Sequence, residues 1–234
     1  MNIQNSKIIV TGGSSGIGKE TAKQLIIEGA KVIITGRNDE KLQKAAKEIG
    51  ATPLLFDISD LKSIPEKAKE AISLLGGQVD VLVNNAGLGV FPVLGDITAE
   101  DLLTVYNTNV FGLALFTQEI LPIFKAQQNG NIINIGSTAS QKGFANGSIY
   151  AASKFALRGM TQSWQAELRK DNIRVSLVNP SEVTTAFANE SREERVEQTN
   201  KLGPSDIAHT IISVIEMRDK GFIPEVNVWA TNPF

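Results

Sequence analysis

Six short apolar runs punctuate the chain: Ile8-Ile9-Val10, Val32-Ile33-Ile34, Leu54-Leu55-Phe56, Val81-Leu82-Val83, Ile132-Ile133-Asn134-Ile135 and Ile173 to Val178. Each gap between runs leaves room for one helix. Most runs are continuously apolar instead of alternating, which predicts strands buried on both faces, as in a parallel sheet covered by helices on either side. The gaps carry helix signals. The amphipathic stretch Glu40 to Ile49 stops at Gly50, and the pattern Ile207 to Met217 follows Pro204, with Ser205 as its expected N-cap. The expected fold class is α/β, a doubly wound parallel sheet flanked by helices on both faces. No proline- or serine-rich linker, repeat or low-complexity segment divides it. One domain over residues 1–234 is expected, with a mostly polar excursion from Asn189 to Lys201.

The first run leads directly into Thr11-Gly12-Gly13-Ser14-Ser15-Gly16-Ile17-Gly18, followed by Ile17, Ala22, Leu25 and Ile26 at helical spacing. In a strand, turn, helix context, glycines permit the tight turn and let backbone N–H groups approach a pyrophosphate. They also allow close helix packing, with the helix dipole facing the anion. A dinucleotide phosphate suits such a turn. The spacing Gly-x-x-x-Gly-x-Gly departs from Gly-x-Gly-x-x-Gly, and no Walker lysine follows, which argues against an ATPase. The second run ends in Thr35-Gly36-Arg37-Asn38. A carboxylate there would bind the ribose 2′-hydroxyl of NAD. Gly36 removes it and Arg37 offers a guanidinium to the 2′-phosphate of NADP, the other reading being a solvated turn arginine.

Composition narrows the chemistry. Hydrophobic residues at 42% and charged residues at 21% are ordinary for a globular chain, so disorder is excluded. Lys and Arg number 23 against 25 Asp and Glu, without a block of like charge, so the footprint of a nucleic-acid binder is missing. With no cysteine and one histidine, disulfides, thiolate zinc sites, iron–sulfur clusters and cysteine nucleophiles are excluded, and no metal is expected. The apolar run before Thr11 is too short for a signal-peptide core, and no stretch of about 18 apolar residues follows. A cytoplasmic protein without a membrane partner is the expectation.

Tyr150 and Lys154 stand at i and i+4, on one helical face. A phenol with a pKa near 10 is a poor base at neutral pH, but a neighbouring ammonium favours phenolate. The pair can then move a proton to or from a carbonyl oxygen. Alone, this spacing is common, and a helix-surface pair is the better reading of it.

Together, Gly12, Gly16 and Gly18, Asn84-Asn85-Ala86-Gly87, Asn109, Ser137, Tyr150 and Lys154 resemble the short-chain dehydrogenase/reductase family over nearly the whole chain. The thirteen-residue step from Ser137 to Tyr150 is part of that likeness. The resemblance implies a Rossmann-like sheet of about seven strands and a Ser-Tyr-Lys-Asn catalytic set. In that set Tyr150 is the acid/base and Ser137 donates to the substrate carbonyl. Lys154 binds the nicotinamide ribose and lowers the tyrosine pKa, and Asn109 supports a water and proton relay. As alternatives, Ser137 could be only a strand-end cap and Asn109 a helix-interior residue bonding the backbone. Implied cofactor contacts are Gly12, Ser14, Ser15, Gly16, Ile17 and Gly18 in the turn, Arg37, and Asp57 with Ile58 beside the adenine. Asn85, Ala86 and Gly87 follow, then Pro180, Val183 and Thr185 beside the nicotinamide, with Tyr150 and Lys154. Two departures stand out. Ser181 replaces a family glycine, and the tail from Ile223 lacks the glycine-rich ending of typical 3-oxoacyl-carrier-protein reductases.

The implied activity is NADP(H)-dependent reduction of a ketone or aldehyde, or oxidation of the corresponding secondary alcohol, with NADP(H) preferred over NAD(H). The alternatives are a 3-oxoacyl-carrier-protein reductase-like enzyme and a catalytically silent NADP-binding regulator. An extended-branch epimerase or dehydratase would show a Gly-x-x-Gly-x-x-Gly turn and a longer substrate domain. Specificity is expected from Ala139 to Ser148 and from a lid at residues 184–201, where Phe144, Phe187 and Ala188 point to an uncharged or partly apolar substrate. The family also implies a homo-oligomer, tetramer or dimer, pairing the Leu102 to Lys125 and Tyr150 to Arg169 helices. Leu113, Leu115, Phe116, Ile120 and Leu121 are read as its excess apolar surface. His209 and Tyr106 are read as surface or packing residues.

Overall fold

A computed structural model describes residues 1–188, 195, 196 and 198–233. Among them, strands β1 (Lys7–Val10), β2 (Lys31–Gly36), β3 (Thr52–Leu55), β4 (Val81–Asn84), β5 (Gly130–Ile135), β6 (Ile173–Pro180) and β7 (Glu225–Val228) form one sheet. Its order is β3-β2-β1-β4-β5-β6-β7 and every pairing is parallel. The chain winds outward from β1 to β3, then returns to β4 and winds the other way. The order therefore reverses between β1 and β4, where a crevice opens beyond the strands' carboxyl ends.

Continuous apolar runs are needed because both faces of the sheet are covered. In β1, Ile8 and Val10 enter one core with Leu25 of α1 (Gly16–Ile27), Leu42 of α2 (Asp39–Ile49) and Ile211 of α7 (Pro204–Glu216). Ile9 enters the opposite core with Ala68 of α3 (Ile64–Leu74), Phe116 and Phe124 of α5 (Leu113–Gln127) and Leu168 of α6 (Ser148–Leu168). Local signals set the ends of α2: the Asn38 side chain accepts from Lys41 N, and Gly50 closes the helix at φ 78°.

Three expectations need correction. The N-cap of α7 is Gly203, not Ser205, because Pro204 takes the first helical position and Asp206 Oδ2 reaches back to accept from Gly203 N at 2.8 Å. The stretch from Leu102 to Lys125 is not one helix. It runs as α4 (Ala99–Tyr106), a π-helical segment Asn107–Gly112, and α5. Gly112 is pressed against the Ile58 carbonyl, where a Cβ would lie only 2.1 Å from its oxygen. Finally, Leu113, Phe116 and Ile120 are spent on the core, and Leu121 packs against it. The exposed apolar residues of this region are Leu102, Leu103, Phe111, Leu115 and, on α6, Phe155.

Candidate active site

The loops after β1 and β4 are stapled together. The Asn85 amide donates to the carbonyls of Thr11 and Gly12, each at 3.0 Å, and Thr11 Oγ1 accepts from the backbone N–H groups of Asn85 (3.0 Å) and Ala86 (3.1 Å). Gly12 has φ +66°, and a Cβ there would lie 2.8 Å from Ala86 Cα, so this approach requires glycine. Asn85 thus ties the loop after β4 to the glycine turn. Asn84 itself is buried and donates to Thr117 Oγ1 and Asn134 Oδ1, both at 2.9 Å.

A cleft of about 1250 Å³ runs along the carboxyl ends of the strands. Gly12, Ser14, Ser15, Gly16 and Ile17 line one stretch of it, at the amino end of α1. Arg37, Asp57 and Ile58 line another, as do Asn85, Ala86 and Gly87. Pro180, Val183 and Thr185 complete the expected cofactor set on the β6 side. Gly18 is the exception. It lies behind the cleft, where a Cβ would be 2.5 Å from the Gly12 carbonyl oxygen, so it permits packing of α1 and touches no ligand space. A smaller hollow of about 490 Å³ at the amino ends of the strands, by Lys7 and Lys31, holds none of the motif residues.

These residues fit a phosphorylated dinucleotide. Gly36 lies against Ser14, with Ser14 Oγ 3.2 Å from where a Cβ would be, so no carboxylate stands at the end of β2. Arg37 and Lys41 both line the cleft there, and neither joins an ion pair among the described residues. Lys41 was not foreseen; its only sequence signal is its place one turn into α2. Asp57 is occupied locally, accepting from Ser59 N at 3.0 Å and Ser59 Oγ at 2.7 Å.

Ser137, Tyr150 and Lys154 meet in the same cleft. Ser137 follows β5 and caps the short turn Thr138–Ser140, its Oγ accepting from Ala139 N at 3.1 Å. The Ser137 side chain lines the cleft together with Tyr150 and pulls the phenol's pKa down. The strand-end cap is present, and the capping residue also faces the cleft. Lys154 is buried one turn along α6 from Tyr150, and its Nζ donates to the Ile135 carbonyl at 2.8 Å. Burial pushes the Tyr150 phenol up to about 12, with Ser137 pulling the other way, and burial alone pushes Lys154 down to about 8. Lys154 has no part in the Tyr150 shift, which burial dominates, so the lowering expected from it is absent here.

Asn109 is buried in the π-helical segment, outside the cleft lining. Its Oδ1 accepts from Leu88 N at 2.9 Å, and its Nδ2 donates to the Leu88 carbonyl at 2.9 Å and to Ser153 Oγ at 3.0 Å. It pins the loop after β4 to α6, and a π-helical turn is the kind of local distortion often kept at functional sites.

The segment carrying Ser137 has a second support that the motifs did not reveal. Asn179 Oδ1 accepts from Ser137 N at 3.1 Å, while Asn179 Nδ2 donates to Glu225 Oε1 (2.9 Å) and Asn227 Oδ1 (3.1 Å) of β7. The sequence signal is a lone asparagine at the end of an apolar strand. Ser181, in place of the family glycine, donates its N–H to Val228 O at 2.9 Å and has no positive φ, so a serine fits that backbone path. Phe91 and Trp229 also line the cleft unforeseen. The expected lid is pinned at its base, Thr184 N donating to Leu202 O at 2.9 Å. Residues 189–194 and 197, with Ser191 to Glu194, lie outside the described residues. His209 is exposed, and Tyr106 packs its ring 6.0 Å from Phe111.

Comparison with known proteins agrees with this geometry. The family described as short chain dehydrogenase matches residues 6–196. The chain is 32% identical to an NADP-dependent 3-hydroxy acid dehydrogenase of Schizosaccharomyces pombe, over 98% of this chain and 94% of that protein. It is 36% identical to carbonyl reductase family member 4 of Xenopus laevis, over 88% and 89% of the two chains. The crystal structure of a metagenomic short-chain oxidoreductase in complex with NADP superimposes with a TM-score of 0.84 at 32% identity, covering 97% of this chain and 98% of that one. Among the described residues, no helix is long and apolar enough to cross a membrane. The chain belongs to the short-chain dehydrogenase family of oxidoreductases, which act with a nicotinamide cofactor.

Proposed function

We propose that this protein is an NADP(H)-dependent reductase of a ketone or aldehyde, able to run in the direction of alcohol oxidation, and that the whole chain acts as one cofactor-binding unit. The observation that carries the reading is the convergence of Ser137, Tyr150 and buried Lys154 on one cleft that fits a dinucleotide, with Lys154 tied to the end of β5. The bound nicotinamide would supply the hydride in reduction and accept it in oxidation.

The protein's residues handle the proton and the charge. With its pKa near 12, Tyr150 is protonated at neutral pH and is set to give its proton to a carbonyl oxygen that becomes negative. The Ser137 hydroxyl donates to that same oxygen, stabilising the charge as it develops. Lys154, charged below about pH 8, offsets the phenolate that Tyr150 leaves and offers its remaining N–H groups to the ribose. Asn109 and Asn179 act through others, holding the Leu88 loop and the Ser137 backbone.

Arg37, with Lys41 beside it, is assigned the 2′-phosphate. The NADP dependence of the Schizosaccharomyces pombe relative and the NADP complex of the metagenomic oxidoreductase support that preference. The exposed Phe111, Leu115 and Phe155 support association of copies through the α4–α6 side, as a dimer or tetramer. NADPH oxidation over a panel of carbonyl compounds tests the activity. Turnover of at least one class is expected, whereas tight NADPH binding with no turnover would favour a silent regulator.

A further inference from the structure

Three loops that share no element each place one phenyl ring around the Tyr150 side chain. Phe91 comes from the segment after β4, Phe144 from the segment before α6, and Phe187 from the turn Ala186–Ala188. The Phe91 and Phe187 rings lie 5.6 Å and 5.5 Å from the Tyr150 ring, at interplanar angles of 62° and 56°. Phe144 extends the group, 6.1 Å from Phe91. All three line the cleft.

These rings are not core. Phe91 is 38% exposed and Phe144 51%, so apolar surface stands open to water beside the proton donor. Each also lies against a glycine. A Cβ at Gly89 would lie 2.5 Å from Phe91 Cζ and 3.3 Å from Phe187 Cε1, and a Cβ at Gly147 would lie 2.4 Å from Phe144 Cζ. Backbone that gives up its side chains to seat rings produces a pre-arranged apolar wall, and pre-arrangement lowers the ordering cost of binding. The tilted ring spacings are also those at which a further ring adds favourable edge and offset contacts.

We infer that the substrate bears a ring-sized apolar group next to its carbonyl, as in an aryl ketone or aromatic aldehyde, seated against Phe91, Phe144 and Phe187. This rests on the reading of Tyr150 as proton donor. It departs from the 3-hydroxy acid for which the Schizosaccharomyces pombe relative is named. Lys142, exposed and without an ion pair among the described residues, is the group nearest in sequence to Phe144 that could hold an acid's carboxylate, so an oxo acid belongs in the test.

The test compares kcat/KM of the NADPH-loaded enzyme for acetophenone, acetone and acetoacetate. Burial of a phenyl group is worth roughly ten- to a hundredfold, so acetophenone is expected to exceed both others by at least about tenfold. The acetophenone-to-acetone ratio should fall severalfold in Phe91→Ala and in Phe144→Ala. Equal values for acetone and acetophenone, or a preference for acetoacetate, overturn the inference while leaving carbonyl reduction intact. A calorimetric titration of 1-phenylethanol against 2-propanol into the NADPH-loaded protein decides the case in which no carbonyl is turned over. Binding at least about tenfold tighter for the aromatic alcohol, lost in Phe91→Ala, keeps the ring seat although the reductase reading fails; equal binding removes both.

Discussion

The Lys154 ammonium lies 5.7 Å from the centre of the Tyr150 ring while donating to the Ile135 carbonyl at 2.8 Å. A lysine on α6 is thereby moored to the end of β5, and the same helix presents the phenol one turn earlier. Moving α6 relative to the sheet would break the tie to Ile135 and carry the phenol away with it.

Burial of Lys154 sets a pH dependence. The Lys154 pKa is depressed to about 8, so the ammonium is present below pH 8 and lost above it. The kcat/KM for reduction is expected to fall above about pH 8, and Lys154→Arg should move the fall upward because guanidinium stays charged. A pH–rate profile of both proteins measures this; a wild-type profile level to pH 10 would contradict it. Stability follows opposite signs for the two groups. A depressed lysine gains native stability as pH rises from about 8 toward its unfolded value, whereas the raised Tyr150 loses it as pH rises from about 10 toward 12.

Arg37→Asp is expected to weaken NADPH binding by roughly ten- to a hundredfold, the worth of a charge-assisted hydrogen bond, and to shrink or reverse the preference over NADH. Dissociation constants for both cofactors, measured by fluorescence titration, check it. Equal affinities in the wild type would remove Arg37 from the phosphate.

Asn109→Ala leaves both the N–H and the carbonyl of buried Leu88 without their side-chain partner. A loss of about 2–4 kcal/mol is expected from two such groups, read in denaturant unfolding, with activity falling as the Leu88 loop loosens. Unchanged stability would mean that water replaces the asparagine.

Much of this arrangement was legible in the sequence because it rests on local necessity. The apolar runs that mark six strands, Gly50 after α2 and the glycine turn at Gly12 each follow from backbone or burial demands that a single sequence carries. Strand β7 was harder to read. Glu225 and Asn227 alternate with Val226 and Val228 on a half-buried edge, without the continuous apolar signature. The π-helical segment around Asn109 depends on contact with Ile58, remote in sequence, and Phe91 gains its meaning only when Phe144 and Phe187 come to meet it. Burial of Tyr150 is likewise a tertiary fact, which is why its pKa moves opposite to the direction its lysine neighbour suggests.

Self-association is expected to show in light scattering as a mass that is a multiple of 25.2 kDa at micromolar concentration. Phe155→Glu should lower that mass, since a charge placed in an apolar contact costs far more than one in water. A monomer in the wild type would leave Phe111, Leu115 and Phe155 as plain surface residues.

The central claim, that Tyr150 passes the proton during carbonyl reduction, is tested most directly by NADPH oxidation with a carbonyl substrate in the wild type and in Tyr150→Phe. The substitution removes one hydroxyl and keeps the ring that packs against Phe91 and Phe187. The expected result is a loss of at least about a hundredfold in kcat with the NADPH dissociation constant changed by less than about threefold, because general acid action belongs to the transition state. Retention of more than about a tenth of the wild-type kcat, with cofactor affinity intact, would contradict the assignment and place the proton donor elsewhere.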